Sequence, residues 1–462
     1  MPLLIKNGRI ITATDDYSAD IFCAGETITR IEPSIDAKSL PPGTEVVDAT
    51  GQFVFPGFID PHVHIYLPFM GTFAADDYAS ASRAALAGGT TTLIEMICPG
   101  PTDQPWDAFE LWRSKAQGLA AVDYTFHMSV VRFEPGVRDQ FRKIVGAGVA
   151  SFKVFLAYKG ALNLTDEDLF AAMKLARELG VIVTAHCENA DAIDALQKAL
   201  LAAGNTGPEW HGPSRPPAVE ADGVHHLCTF AELLGTHVYT VHTSCDEAVR
   251  AALAARYRGV NVWIESVIPH FVLDETYAER PNFEGAKYVM SPPLRAKRNQ
   301  EVLWNGVKSR AISTIATDHA PFSFRGQKDM GKDGFTRIPN GIPSVQERVD
   351  LVHTHGVAAE RVTLNTMVDA CSTQAARLFG LYPRKGAIQV GSDADLVVYD
   401  PAYRGTFTKA GSHSNVDYNA YEGWDRVGRA RVVTVRGAIQ ARDGKFVGTI
   451  GRGQFLGREP TH

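Results

Sequence analysis

The chain has no apolar run of the roughly 20 residues that a helix needs to cross a bilayer. Its opening stretch, Met1-Pro2-Leu3-Leu4-Ile5-Lys6, is too short to serve as a secretory signal. It also has no disulfide pattern. The six cysteines, Cys23, Cys98, Cys187, Cys228, Cys245 and Cys371, are scattered without paired spacing, which suits a reducing, cytoplasmic setting. Basic excess is missing too. With 46 Lys and Arg against 52 Asp and Glu, the net charge is −6, so no electrostatic footprint for nucleic acid exists. No internal repeat or low-complexity tract occurs. Membrane and nucleic-acid partners are therefore not expected, and the 45% hydrophobic, 21% charged composition is that of a soluble globular protein.

The chain changes style twice along its 462 residues. Residues 3–6 and 9–12 flank Asn7-Gly8, a hairpin signal, and residues 21–23 and 28–31 flank Gly25. The far end repeats this pattern, with a strand expected at 394–399 and turns at Arg436-Gly437 and Asp443-Gly444. Neither end has enough strands to bury a sheet face alone. One small β-sandwich is expected from both, over residues 1–52 and 384–462. Between them, residues 53–383 alternate. Strands are expected at 53–59, 91–96, 124–130, 152–156, 181–185, 238–241, 260–264 and 312–316. Helices are expected at 78–86, 108–118, 137–145, 166–179, 190–203, 246–255 and 299–308. This is an α/β pattern, and it predicts a TIM-like (β/α)8 barrel. Pro- and Gly-rich residues 204–217 and 322–340 read as long loops over its mouth.

The first barrel strand ends in His62-Val63-His64. Residues i and i+2 of a strand share a face, so two imidazoles stand side by side. Alone, this pair is weak evidence for a metal. Lys153, His186, His242 and Asp318 fall at or near the ends of strands 4, 5, 6 and 8, however, at the rim where barrel enzymes place their chemistry. His127, His225, His226, His237, His270, His319, His353 and His355 fit less well and read as structural, His319 least securely because it adjoins Asp318.

Lys153 lies inside the apolar run Ser151-Phe152-Lys153-Val154-Phe155-Leu156. Burying an ammonium ion is expensive, so this lysine must be paired, modified or neutral. It could form a Schiff base, join an ion pair, or take up CO2 as an anionic carbamate. The neighbouring histidines favour the carbamate. Four imidazoles and one Asp carry too little negative charge for two divalent ions, and a bridging carbamate supplies more.

Several segments carry a resemblance: Pro56-Gly57-Phe58-Ile59-Asp60-Pro61-His62-Val63-His64, Pro68-Phe69-Met70-Gly71-Thr72, Phe152-Lys153-Val154-Phe155-Leu156-Ala157-Tyr158-Lys159, His186-Cys187-Glu188-Asn189, Ser291-Pro292-Pro293-Leu294-Arg295 and Ile338-Pro339-Asn340-Gly341. In that order they resemble the dihydropyrimidinase/hydantoinase family of cyclic amidases, within the amidohydrolase superfamily. The resemblance implies two zinc ions, one held by His62, His64, carbamylated Lys153 and Asp318, the other by Lys153, His186 and His242. It also implies a homotetramer, or at least a dimer.

Two such ions, about 3.5–4 Å apart, can share a hydroxide, because metal-bound water ionises near pH 7. Asp318 would orient it, accept its proton and pass that proton to the leaving amide nitrogen. Tyr158 would bond the developing oxyanion. By the resemblance, Ser291 and Asn340 offer backbone groups to a cyclic ureide. Leu67, Phe69, Met70 and Phe155 would line the pocket for a ring substituent. Dihydroorotases usually carry Arg two residues after His-x-His; here that place holds Tyr66. The implied reaction is ring opening of dihydropyrimidines such as dihydrouracil or dihydrothymine, or of 5-substituted hydantoins. An allantoinase- or dihydroorotase-like amidase and a non-catalytic scaffold are the alternatives. Cys187 stands where the family usually has Ala, and Thr243-Ser244-Cys245, Ala320, Ser344 and Gln346 also depart from it.

Overall fold

The computed structural model describes residues 2–461. Eight parallel strands form one sheet in chain order: β1 Phe58–Val63, β2 Thr90–Ile97, β3 Asp123–Ser129, β4 Ser151–Phe155, β5 Ile182–His186, β6 Val238–Thr240, β7 Val262–Val267 and β8 Thr314–Ala316. Nearly every residue in them is buried, which is why they read as apolar runs rather than as alternating ones. The ring closes between β8 and β1. Val63 pairs with His319, and the His64 amide donates to the His319 carbonyl at 2.8 Å. Buried Asp60 accepts from Thr317 Oγ1 at 2.6 Å, and Arg348 donates to the carbonyls of both Ile59 and Ile315.

Helices follow the strands and pack outside them. Their starts are chemically marked. The Asp77 side chain accepts from the Ser80 amide to begin Tyr78–Ala87, and Thr165 caps Asp166–Leu179. Asn189, in the His-Cys-Glu-Asn segment, caps Ala190–Ala202 by accepting from the Ala192 amide. The 18-residue helix Pro217–Leu234 was not expected. It opens on Pro217 at its first position with no side-chain cap, and Gly223 interrupts its apolar face. No helix among the described residues is long and apolar enough to cross a membrane.

Both chain ends build one nine-stranded sheet. Its order is Lys445–Phe446, Ala438–Arg442, Asp425–Val435, Leu396–Thr406, Phe53–Pro56, Leu3–Ile11, Asp16–Ala24, Thr27–Glu32, with Glu45–Asp48 pairing beside Leu3–Ile11. Leu3, Ile5, Ile10, Ile21, Val54, Leu396 and Val432 belong to its core.

Two local expectations need correcting. The run 53–59 is not one strand. It divides at Gly57, where Phe53–Pro56 joins the terminal sheet and Phe58–Val63 opens the barrel. Terminal-sheet pairing therefore ends at Gly57 rather than at residue 52. A side chain at Gly57 would collide with Thr91 and Asp395, so only glycine lets the two sheets meet there. Asn7-Gly8 is not a hairpin turn either. Leu3–Ile11 is continuous, and Asn7, at φ 60°, forms a bulge while both halves pair with Asp16–Ala24.

Lys385 joins the barrel to the terminal sheet. Its buried ammonium reaches Asp123 at 2.6 Å, Asp395 at 2.7 Å and Asp393 at 3.0 Å. Lys385→Met would leave these carboxylates short of a cation and is expected to cost about 3–5 kcal/mol, read from urea denaturation. The chain's last turns also lie on the barrel. Leu456 and Gln454 exchange backbone bonds with Tyr124.

Candidate metal centre

His62 and His64 stand at the end of β1, and Asp318 stands two residues beyond β8. Asp318 Oδ1 lies 3.1 Å from His62 Nε2 and 3.2 Å from His64 Nε2. His62 Nε2 is buried and nevertheless makes no hydrogen bond. The three ligand atoms lie within 4.8 Å of one another. Donors about 2.0–2.1 Å from a tetrahedral ion sit roughly 3.3 Å apart, so this spacing suits one shared cation better than direct pairing.

His186, the last residue of β5, and His242, two residues beyond β6, face each other with ring centroids 4.4 Å apart. His242 also lies 5.3 Å from the His62 ring. Its Nδ1 is buried without a partner. Lys153, in the middle of β4, is 1% exposed and has no ion-pair partner among the described residues. Burial, only partly opposed by Asp318 and Glu265, lowers its amine to about 8. Tyr158, His242 and Asp318 all have left-handed backbone, at φ 66°, 39° and 51°. Strain of this kind costs about 1–3 kcal/mol per residue and gathers at functional sites.

The structure brings together all the residues expected around the ions. Lys153, Phe155, Tyr158, Ser291 and Asn340 line the same deep pocket as His62, His64, His186, His242 and Asp318. Leu67 and Phe69 lie at its edge and also line a wider outer cavity of about 550 Å³, where Met70 joins them. The Phe69 ring meets Tyr158 edge-on at 5.5 Å. Asn340 Nδ2 donates to Ser291 Oγ at 2.9 Å. Both regions read as mouth loops contribute to the outer cavity, through His211 and Arg215 and through Phe335, Thr336 and Asn340.

An amidohydrolase family model matches residues 53–439, the barrel together with part of the terminal sheet. The chain belongs to the amidohydrolase family. Its relatives place it among the hydantoinases and dihydropyrimidinases. It is 44% identical to a D-hydantoinase from Geobacillus stearothermophilus, over 99% of this chain and 97% of that one. Among solved structures, a D-hydantoinase (dihydropyrimidinase) from Thermus sp. is 57% identical, with a TM-score of 0.97 over 99% of each chain. A dihydropyrimidinase from Brevibacillus agri is 41% identical, with a TM-score of 0.97 over the full length of both.

This amidohydrolase surrounds its histidines with carboxylates that the sequence reading missed. Glu265 of β7 lies 2.7 Å from His62 Nδ1, accepts from the His242 amide at 2.9 Å, and receives the Tyr239 hydroxyl at 2.7 Å. Burial disfavours a charged His62, but Glu265 and Asp318 outweigh it and hold the ring up to about 9. Glu188 lies 2.6 Å from His186 Nε2 and pairs with Arg215 at 2.5 Å. Burial works against the Glu188 carboxylate, yet Arg215 and His186 bring it down to about 2. Such outer partners fix the tautomer and tilt of a ligating imidazole. A signal for Glu265 existed: a lone carboxylate in the apolar run Val262–Val267 raises the same question as Lys153.

Other details bear on the pocket of this amidohydrolase. Glu95 accepts from the amides of Ile65 and Tyr66, and burial pushes it up to about 7. The Tyr66 ring packs on Trp112 and Phe73, at 5.0 and 5.8 Å. Among the described residues, neither Tyr66 nor any arginine lines the deep pocket. His127 bonds Ser151 and the Pro61 carbonyl, and His319 bonds Asp76, so neither is free to hold an ion. His211, also missed, lies 2.8 Å from the Met290 carbonyl and 3.3 Å from Ser291 Oγ.

Proposed function

We propose that this hydrolase opens the ring of a cyclic amide. It takes dihydrouracil or dihydrothymine to an N-carbamoyl-β-amino acid, or a 5-substituted hydantoin to an N-carbamoyl amino acid. The single observation that carries the reading is an unpaired, buried Lys153 among four histidines and Asp318, beneath an apolar mouth. The names of the relatives agree, since they are hydantoinases and dihydropyrimidinases.

His62, His64, Asp318, His186, His242 and Lys153 carrying CO2 on its amine would together hold two zinc ions. Bound there, the pair supplies an ionised water near neutral pH and a Lewis acid for the ring carbonyl. The protein's own groups do the rest. Asp318 Oδ1 lies 3.1 Å and 3.2 Å from His62 Nε2 and His64 Nε2, in the middle of the site, and would serve as its base. It takes a proton from the attacking water and delivers it to the departing ring nitrogen. Tyr158 keeps its hydroxyl proton, because burial pushes it up to about 12 against the pull of Arg215. It donates a hydrogen bond to the carbonyl oxygen as negative charge develops. Backbone groups of Ser291 and Asn340 receive the alternating N–H and C=O edge of the ring. Leu67, Phe69 and Phe155 pack against its substituent. That wall suits an apolar group and leaves a ring carboxylate without a bidentate partner, which disfavours dihydroorotate.

The active form is a dimer or tetramer, as the resemblance implies, and light scattering in solution tests that. A cytoplasmic site of action agrees with six free, buried cysteines. The deciding experiment pairs metal analysis with a panel of dihydrouracil, 5-methyl- and 5-phenylhydantoin, dihydroorotate and allantoin. Two zinc ions per chain are expected, with turnover of the first three rings well above the last two. Preferred hydrolysis of dihydroorotate or allantoin would overturn the substrate assignment.

A further inference from the structure

Three separate segments meet at one buried turn outside the metal centre. Lys328 is fully buried, and its Nζ donates to the Val289 carbonyl at 2.9 Å and the Pro339 carbonyl at 3.0 Å. Val289 lies two residues before Ser291, and Pro339 immediately precedes Asn340. The two strips also touch directly, through the Gly341 amide on the Val289 carbonyl at 2.9 Å and Asn340 on Ser291. Lys328 has no ion-pair partner among the described residues. Burial pulls its amine down to about 7, and that amine is spent on two carbonyls, a costly arrangement for a group whose only task were to fill space. Its neighbour Gln327 reaches the other way. Gln327 Nε2 donates to Thr72 Oγ1 at 2.8 Å and to the Phe73 carbonyl at 2.6 Å, while its Oε1 accepts from the Ser323 amide at 2.7 Å. Thr72–Phe73 is the return strand of the hairpin whose first strand, Pro68–Phe69, carries the apolar wall.

We infer that Gln327 and Lys328 are positioning residues with separate tasks: Lys328 sets the distance between the two ring-binding strips, and Gln327 sets where the apolar wall stands. This deepens the cyclic-amide reading above and rests on it. The division of labour follows from the geometry. Without the Lys328 donor, the Pro339 carbonyl loses its partner and the Val289 carbonyl keeps only the Gly341 amide, so the strips around Ser291 and Asn340 are held together less firmly. Every ring should then bind less well, whatever its substituent. Without Gln327, only the hairpin is released, and only substrates that reach Phe69 and Leu67 should respond.

The test measures kcat and KM of the metal-loaded wild type, Lys328→Met, Lys328→Arg and Gln327→Ala on dihydrouracil and 5-phenylhydantoin, with metal content and Tm recorded. For Lys328→Met, KM is expected to rise about tenfold or more on both rings, with kcat within about threefold of wild type and metal unchanged. Lys328→Arg, which keeps the donors, should recover part of the loss. Gln327→Ala should change the ratio of kcat/KM between the two rings by about fivefold or more, with dihydrouracil nearly untouched. A loaded Lys328→Met enzyme with wild-type KM overturns the Lys328 assignment. Equal scaling of both rings in Gln327→Ala overturns the Gln327 assignment. If Lys328→Met does not fold, Lys328→Gln, with its shorter side chain, takes its place: a raised KM on both rings is expected and a wild-type KM overturns the assignment, while the ratio in Gln327→Ala decides the other. A wild type that hydrolyses neither ring sinks the cyclic-amide reading itself, an outcome distinct from unaltered variants of an active enzyme.

Discussion

Lys153→Ala is expected to lose the paired ions and to lower turnover by about 10³-fold or more while the barrel stays folded. Burial brings the Lys153 amine to about 8. Roughly a tenth of it is then neutral at pH 7, against well under a thousandth for an ordinary lysine. Only the neutral amine takes up CO2, so the surroundings that make an ammonium costly also prepare the carbamate. Alanine would remove the proposed carbamate from the middle of the site. A short carboxylate such as acetate or propionate, which supplies the same kind of anion, is expected to restore part of the metal binding and activity. Metal analysis, circular dichroism and a carboxylate titration of kcat check this. Full activity with no added carboxylate would reject the carbamate.

Asp318→Asn is expected to keep the fold and lose about 10²–10⁴-fold in kcat. Asparagine matches the shape of aspartate but cannot accept and release the proton that the departing nitrogen needs. It also leaves His62 and His64 without the nearby negative charge that lies 3.1 and 3.2 Å away. Metal content and kcat measured on one preparation separate the two effects. Lost turnover with ions retained assigns the deficit to proton transfer. Lost ions assign it to metal holding. A near-normal kcat would remove Asp318 from the chemistry.

The barrel and its rim were legible because each strand is a buried apolar run and each candidate ligand interrupts one or follows it. Phe152-Lys153-Val154 is the clearest case, since one charge among apolar neighbours needs a reason. Glu265 and Glu95 pose the same question in β7 and β2, but single carboxylates near strand middles attract less notice than histidine pairs. Helix Pro217–Leu234 was hidden because prolines at 216 and 217 read as loop and no cap residue announced the turn. The division at Gly57 depends on a close approach of Thr91 and Asp395, contacts that only the folded chain makes. Asn7-Gly8 has hairpin composition but sits inside a strand, where tertiary pairing with Asp16–Ala24 outweighed local turn preference. Arg215 and His211 reach the site from a loop, and no periodicity points to where a loop side chain will lie.

Phe53–Pro56 is flanked in its sheet by Leu3–Ile11 on one side and Leu396–Thr406 on the other. During synthesis the first partner is available at once, but the second leaves the ribosome more than three hundred residues later. Until then an apolar strand edge stays open, inviting association with other nascent chains. Lower expression temperature or a chaperone that shields this edge is therefore expected to raise the soluble yield of the protein.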